Sequence, residues 1–297
     1  MSTTRIAVMP ALARPAAYLA LTKPDVSFLV VLTTAAGYYM GSRGPLELAR
    51  LAHTVFGTTL LAAGTSALNH YLERGSDARM RRTASRPLPS GLLTPSQAFW
   101  FGAILAVAGT IYLVLGAGLL PSLLGVATCV CYLGTYTPLK KRTTLATLVG
   151  AFPGAVPPLI GWAAARGSLQ LEAGILYAIL FLWQFPHFQA IAWMYREDYA
   201  RAGIRMLPVV DRSGEATFRQ ILLTAMLLVP VSLLPAMVGL AGVRYFFGAL
   251  VLGLALVQVC LWAARSKTNV RAKWLMHATV LHLPLLLGLM VLDKISR

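Results

Sequence analysis

The chain has 297 residues, of which 57% are hydrophobic and 12% charged, and its mean hydropathy is +0.68. Globular domains in water carry about 45–50% apolar and about 25% charged residues, so a soluble enzyme, a disordered tail and a disulfide-rich secreted module are excluded. The three cysteines, Cys129, Cys131 and Cys260, sit in apolar runs and support neither a disulfide framework nor a four-ligand zinc site. What remains to be explained is the use a set of membrane helices makes of 26 Lys+Arg against 10 Asp+Glu.

A spanning helix needs about 20 mostly apolar residues. Nine such stretches follow in chain order: 24–42, 52–72, 98–118, 120–137, 145–165, 170–190, 217–240, 244–264 and 274–293. Residues 1–23 read as a cytoplasmic tail with an interfacial helix, since no small-residue cleavage site follows them. Residues 24–297 read as one membrane domain, with no internal repeat and no linker. With the N-terminus inside, twenty of the 26 basic residues fall in cytoplasmic segments and six outside. That bias sets the orientation and explains the charge of +16, so no nucleic acid partner is needed.

Two clusters carry chemistry. The second span closes on Asn69, Glu73 and Asp77, spaced i, i+4, i+8, followed by Arg79, Arg81, Arg82 and Arg86. At about 100° per residue the three oxygen donors lie within an arc of about 80°. An amide and two carboxylates on one stripe suit Mg²⁺, which completes its shell with substrate phosphate oxygens and water. The arginines could hold the same anion bidentately. The bland alternative is an ordinary Arg-rich cytoplasmic face. After the sixth span come Trp183-Gln-Phe-Pro-His187-Phe, then Arg196-Glu-Asp198. A second acidic site facing the first could hold metal around a diphosphate, a good leaving group only when its charge is neutralised. Between them Tyr136-Thr-Pro-Leu-Lys140-Lys141-Arg142 supplies three more cations.

These segments resemble the intramembrane prenyltransferase (UbiA) superfamily. Within it they are similar to the branch that farnesylates protohaem IX: the Asn-x-x-x-Glu-x-x-x-Asp stripe, Tyr-Thr-Pro-Leu-Lys-Lys-Arg-Thr, Trp-Gln-Phe-Pro-His-Phe, Asp-Tyr-x-x-Ala-Gly and the opening Thr22-Lys23-Pro24. The resemblance implies an all-α membrane protein of nine transmembrane helices around a central cavity, set in the bacterial inner membrane with its active site towards the cytoplasm. It implies farnesyl transfer from farnesyl diphosphate to a vinyl carbon of haem B, with water addition, giving haem O and diphosphate for haem-copper terminal oxidases. Haem A synthase or oxidase assembly factors would be its protein partners. It also implies that Asn69, Glu73, Asp77 and Asp198 are catalytic Mg²⁺–diphosphate ligands. Diphosphate would be met by Arg79, Arg82, Arg86, Lys140, Lys141, Arg142 and Arg196. There are two departures: Glu73 stands where the superfamily usually has aspartate, and Asp198 has Ala202 at i+4, which leaves the second acidic motif incomplete.

A histidine at membrane depth is costly without a partner. His187 is therefore a candidate haem contact, with Trp183 beside it, and the alternative is a histidine bonded within the bundle. His70 faces about 100° away from Asn69 and could meet haem or headgroups. Pro153, Pro157 and Pro158 should break the fifth span. A quinone-precursor or chlorin prenyltransferase would share the metal stripe. A transporter of an anionic amphiphile would be expected to show midplane charges and inverted repeats, whereas here the acids cluster at one face. An odd span number with the N-terminus inside places a reporter fused after Arg297 on the outer side; a cytoplasmic signal there would mean an even number of spans.

Overall fold

A computed structural model describes residues 13–295. Residues 1–12, including Arg5 of the expected tail, and 296–297, including Arg297 of the expected outer set, lie outside the described residues. The described chain is helical from end to end: α1 (Ala13–Leu21), α2 (Pro24–Gly41), α3 (Leu48–Asp77), α4 (Pro95–Gly116), α5 (Leu119–Val130), α6 (Thr137–Leu139), α7 (Ala146–Gly154), α8 (Pro157–Arg166), α9 (Leu171–Met194), α10 (Arg196–Arg201), α11 (Leu207–Val210), α12 (Glu215–Met237), α13 (Val243–Ser266) and α14 (Asn269–Leu292). Eight helices are long and apolar enough to cross a membrane, and the bent pair α1–α2 makes a ninth. The nine stretches read from hydropathy are thus recovered, α5–α6 and α7–α8 each counting as one span.

Three departures from straight helix position the site. The first is an elbow of 46° between α1 and α2, where Lys23 adopts φ 48° and ψ 69° in the left-handed region. For a non-glycine residue such a conformation costs about 1–3 kcal/mol and is kept only where surrounding contacts enforce it. The second is a π-helical segment, Cys131–Tyr136, that joins α5 to α6 and turns Thr137 inward. The third is the expected proline break, at Ala155 and Val156 between α7 and α8. There the Ala151 carbonyl, which accepts the last regular bond of α7 from Ala155 N at 3.1 Å, also accepts from Gln184 Nε2 of α9 at 3.1 Å, tying the break to the neighbouring helix.

Lipid is as apolar as leucine, so helices associate by close packing rather than by burial from water. Small residues sit where these helices meet. A Cβ on Gly161 of α8 would lie 1.9 Å from the Thr34 carbonyl oxygen of α2, and one on Gly64 of α3 would lie 2.4 Å from the Ala106 nitrogen of α4. Large apolar side chains such as Ile104, Leu115 and Phe247 instead point outward and are exposed to the surrounding lipid.

Polar contacts then tie each end. At one end Lys23, the segment after Asn69, Lys140, Asp198 and Arg205 are joined, together with the Glu215–Lys267 ion pair. At the other, Lys294 Nζ donates to the carbonyls of Tyr39 and Ser42 at 2.6 and 2.8 Å. All five segments expected on the cytoplasmic side therefore share the first end.

Gly161→Val should lower the detergent thermal midpoint by the equivalent of about 1–3 kcal/mol of overpacking. Gly174→Ala, where an added Cβ meets nothing within 4 Å, should change it little.

Candidate active site

The site grows from the last turns of α3. That helix runs to Asp77, so Asn69, Glu73 and Asp77 fall on successive turns of one face. The Asn69 amide is oriented by its neighbours. Thr137 Oγ donates to the Tyr132 carbonyl at 2.9 Å, so it can only accept from Asn69 Nδ2, at 3.1 Å. Asn69 Oδ1 consequently faces the Lys23 ammonium, at 2.8 Å. The elbow in the first span exists at the point where its lysine reaches this amide.

Each carboxylate is closed by a cation. Glu73 accepts from Lys140 Nζ at 2.7 Å, and the ammonium lies 4.4 Å from the Tyr136 ring centroid. Burial by itself would lower the Lys140 pKa, but Tyr136 and Glu73 reverse that and hold it well above the usual lysine range. Lys140 therefore stays charged through the whole physiological range, and on the alkaline side the contact is lost as pH rises past that raised value. Asp77, 1% exposed, accepts from Arg86 Nη1 at 2.9 Å on both oxygens. Asp198, on α10, accepts backbone N–H groups of Arg81 and Arg82 at 3.3 and 3.2 Å and pairs with Arg201. An unpaired charge at this depth would cost several kcal/mol, so these pairs also fold the loop after α3 onto α10. Three carboxylates and the Asn69 amide here meet the side chains of Lys140, Arg86, Arg201 and Lys23, with Arg81 and Arg82 adjoining. The surplus is positive, which suits a polyanion.

The structure separates the remaining candidates. Arg82 stacks on Tyr195, 4.7 Å from its centroid, and reaches the Tyr199 hydroxyl at 3.4 Å. Arg79, in the turn after α3, is exposed and donates back to the Gly75 carbonyl in the last turn of that helix. Lys141 and Arg142 are exposed at the rim. Arg196 turns away to the Trp193 carbonyl and to Asn269 Oδ1 at 2.8 and 2.7 Å. His187 and Trp183 are buried between α9 and α14, their rings stacked at 4.9 Å and 14°. His70 is sealed in, with neither ring nitrogen bonded among the described residues. Ala202 is a fully buried packing residue where a further acid would stand.

The donor set for a cation is hard oxygen throughout, an amide and three carboxylates. Among the described residues no three His, Cys, Asp or Glu side chains already converge on one point. Hard oxygen donors of this kind are the ones Mg²⁺ takes, one or two carboxylates with the rest of its shell from substrate phosphates and water.

The profile of the UbiA prenyltransferase family matches residues 30–283. The chain belongs to this family. A protoheme IX farnesyltransferase of Solibacter usitatus is 50% identical over 286 residues, 93% of this chain and 98% of that one. One of Koribacter versatilis is 46% identical over 287 residues, 93% of each chain. The solved structure of a UbiA homologue from Archaeoglobus fulgidus bound to GPP and Mg²⁺ superposes with a TM-score of 0.66 at 12% identity, covering 92% of this chain and 99% of that one. This UbiA-family chain shares that all-helical fold.

Sequence reasoning used Lys23 as a topological charge and as part of the Thr22-Lys23-Pro24 motif but missed its place in the site, because nothing local announces that a left-handed residue will carry it across to Asn69. It also missed Thr137, the two backbone donors to Asp198, and Thr279, which lies 92 residues from the histidine it bonds. Asp77→Asn and Asp198→Asn should each lower turnover at least about 100-fold, about 2.7 kcal/mol in barrier height, measured at limiting Mg²⁺. Full activity in both variants would remove these two acids from the metal–diphosphate assignment.

Proposed function

We propose that this chain is a Mg²⁺-dependent intramembrane prenyltransferase that moves the farnesyl group of farnesyl diphosphate onto a vinyl carbon of haem B, giving haem O and diphosphate. The observation that carries the reading is the gathering of Asn69, Glu73, Asp77 and Asp198, with their cations, at one end of the bundle. The acceptor is supported by the names of the relatives at 50% and 46% identity, both protoheme IX farnesyltransferases. The prenyl donor and the cation are supported by the Archaeoglobus homologue bound to GPP and Mg²⁺.

Asn69, Glu73, Asp77 and Asp198 would hold the metal, which when bound neutralises charge on the leaving diphosphate. Lys23, Lys140 and Arg86, which close the site against their acid and amide partners in the free protein, would be the groups placed to face the phosphate oxygens. As the allylic C–O bond breaks, its electron pair stays with diphosphate. The vinyl group supplies the electrons of the new C–C bond. Water adds at the resulting cationic carbon and loses a proton. His187 and Trp183 are assigned to the haem side of the reaction. His70, sealed and unbonded, is assigned no direct contact.

The cationic end is taken to face the cytoplasm of a bacterial inner-membrane protein, supported by the twenty-to-six division of basic residues. The expected tail, 1–23, then ends at the elbow whose lysine serves the site.

Purified protein incubated with farnesyl diphosphate, haem B and Mg²⁺ should yield a haem heavier by one farnesyl group and one hydroxyl group, and chelation of the metal should stop it. Prenylation of an aromatic quinone precursor or a chlorin, with haem left unchanged, would favour the other acceptor class instead.

A further inference from the structure

Thr279 of α14 holds both aromatic groups of the α9 pair. Its carbonyl accepts from Trp183 Nε1 at 2.8 Å, and its hydroxyl lies 2.9 Å from His187 Nδ1. The same hydroxyl donates to the Met276 carbonyl at 2.6 Å. A hydroxyl has one hydrogen to give. With that hydrogen spent on Met276, the contact to the imidazole is satisfied only if Nδ1 carries the ring proton and Thr279 Oγ accepts it. The neutral ring then has its lone pair on Nε2.

Among the described residues Nε2 has no hydrogen-bond partner. Nor is it one of the buried unbonded atoms, which do include both ring nitrogens of His70 and Nε2 of His282. The stacked Trp183 ring fixes the plane of the imidazole, and Thr279 itself is fully buried. His187 lies seven residues before the end of α9, roughly 10 Å below it at 1.5 Å per residue. Further into the bundle, Leu180 of α9 and Leu283 of α14 meet Ala36 of α2 and Pro158 of α8 around a small, almost wholly apolar gap. The imidazole thus presents one free nitrogen from an otherwise buried aromatic pair, and a neutral imidazole nitrogen is a ligand that haem iron takes.

We propose that Thr279 is a positioning residue that locks His187 in the Nδ1–H form, so that Nε2 is presented as an axial ligand to the iron of the haem substrate. An imidazole that ligates metal through one nitrogen and donates its other N–H to a fixed oxygen is held in both tautomer and orientation. The proposal rests on the haem reading above and adds a requirement that reading does not contain: recognition of the iron as well as the porphyrin.

The test compares the affinities of ferric protohaem IX and metal-free protoporphyrin IX for the full-length protein in detergent, with absorption spectra of the haem complex. In the unsubstituted protein ferric haem should bind more tightly than the free base and show an imidazole-ligated spectrum. Thr279→Val keeps the shape and removes the acceptor, and should reduce ferric haem affinity about 10- to 100-fold, the usual effect of losing such a partner, while free-base affinity stays constant. Thr279→Ser should keep the spectrum. His187→Ala should abolish the preference for iron altogether, and added imidazole should restore the ligated spectrum. The unchanged free-base affinity also shows that each variant is folded. Equal affinity for haem and free base in the unsubstituted protein would overturn the proposal while leaving the haem acceptor standing, as would a Thr279→Val variant with an undiminished iron preference. Failure to bind either porphyrin would overturn the acceptor assignment along with it.

Discussion

The rest of this structure depends on the need to neutralise carboxylates at the edge of a membrane. Asp77 is 1% exposed and Asp198 8%, and a charge so placed is tolerated only with a partner and hydrogen bonds. The partners come from far along the chain: Lys140 is 67 residues from Glu73, and the Arg81 nitrogen is 117 from Asp198. Meeting that demand draws the loop after α3, the α6 turn and α10 to one end of the bundle. Lys23 does the same for the first span through a neutral amide, at the expense of a left-handed backbone. The same contacts serve the fold and assemble an anion receptor.

Most of the architecture was legible because hydropathy and charge report directly on lipid. Nine apolar stretches and a one-sided distribution of arginine and lysine fix the number of spans and which loops share an end. The prolines at 153, 157 and 158 announced the break in the fifth span. The i, i+4, i+8 stripe was legible too, since α3 stays regular through Asp77. Less legible was the destination of each arginine. Arg82, Arg86 and Arg196 look equivalent in sequence, yet one stacks on Tyr195, one clasps Asp77 and one turns to Asn269. What separates them is the path of the loops, which follows from long-range pairing rather than local pattern.

The histidines make the same point. His70 sits next to Asn69 and His187 lies in an aromatic run, and sequence alone offered both as haem contacts. Packing separates them. His70 is enclosed without a partner among the described residues, whereas His187 is clamped by a threonine on another helix and keeps one nitrogen free. The glycine seams between α2 and α8 and between α3 and α4 give this precision a basis, since backbones in direct contact leave little room for the helices to shift.

If the oxygens of Asn69, Glu73, Asp77 and Asp198 and their cations form one diphosphate–metal site, the site should fill as a unit. The decisive measurement is a structure determined with Mg²⁺ and a non-reactive thiolo analogue of farnesyl diphosphate. It should show the diphosphate between the end of α3 and α10, metal on the carboxylates, and Lys140 Nζ moved from Glu73 to a phosphate oxygen. Diphosphate bound elsewhere, with the Lys140–Glu73 and Arg86–Asp77 pairs intact, would contradict the assignment.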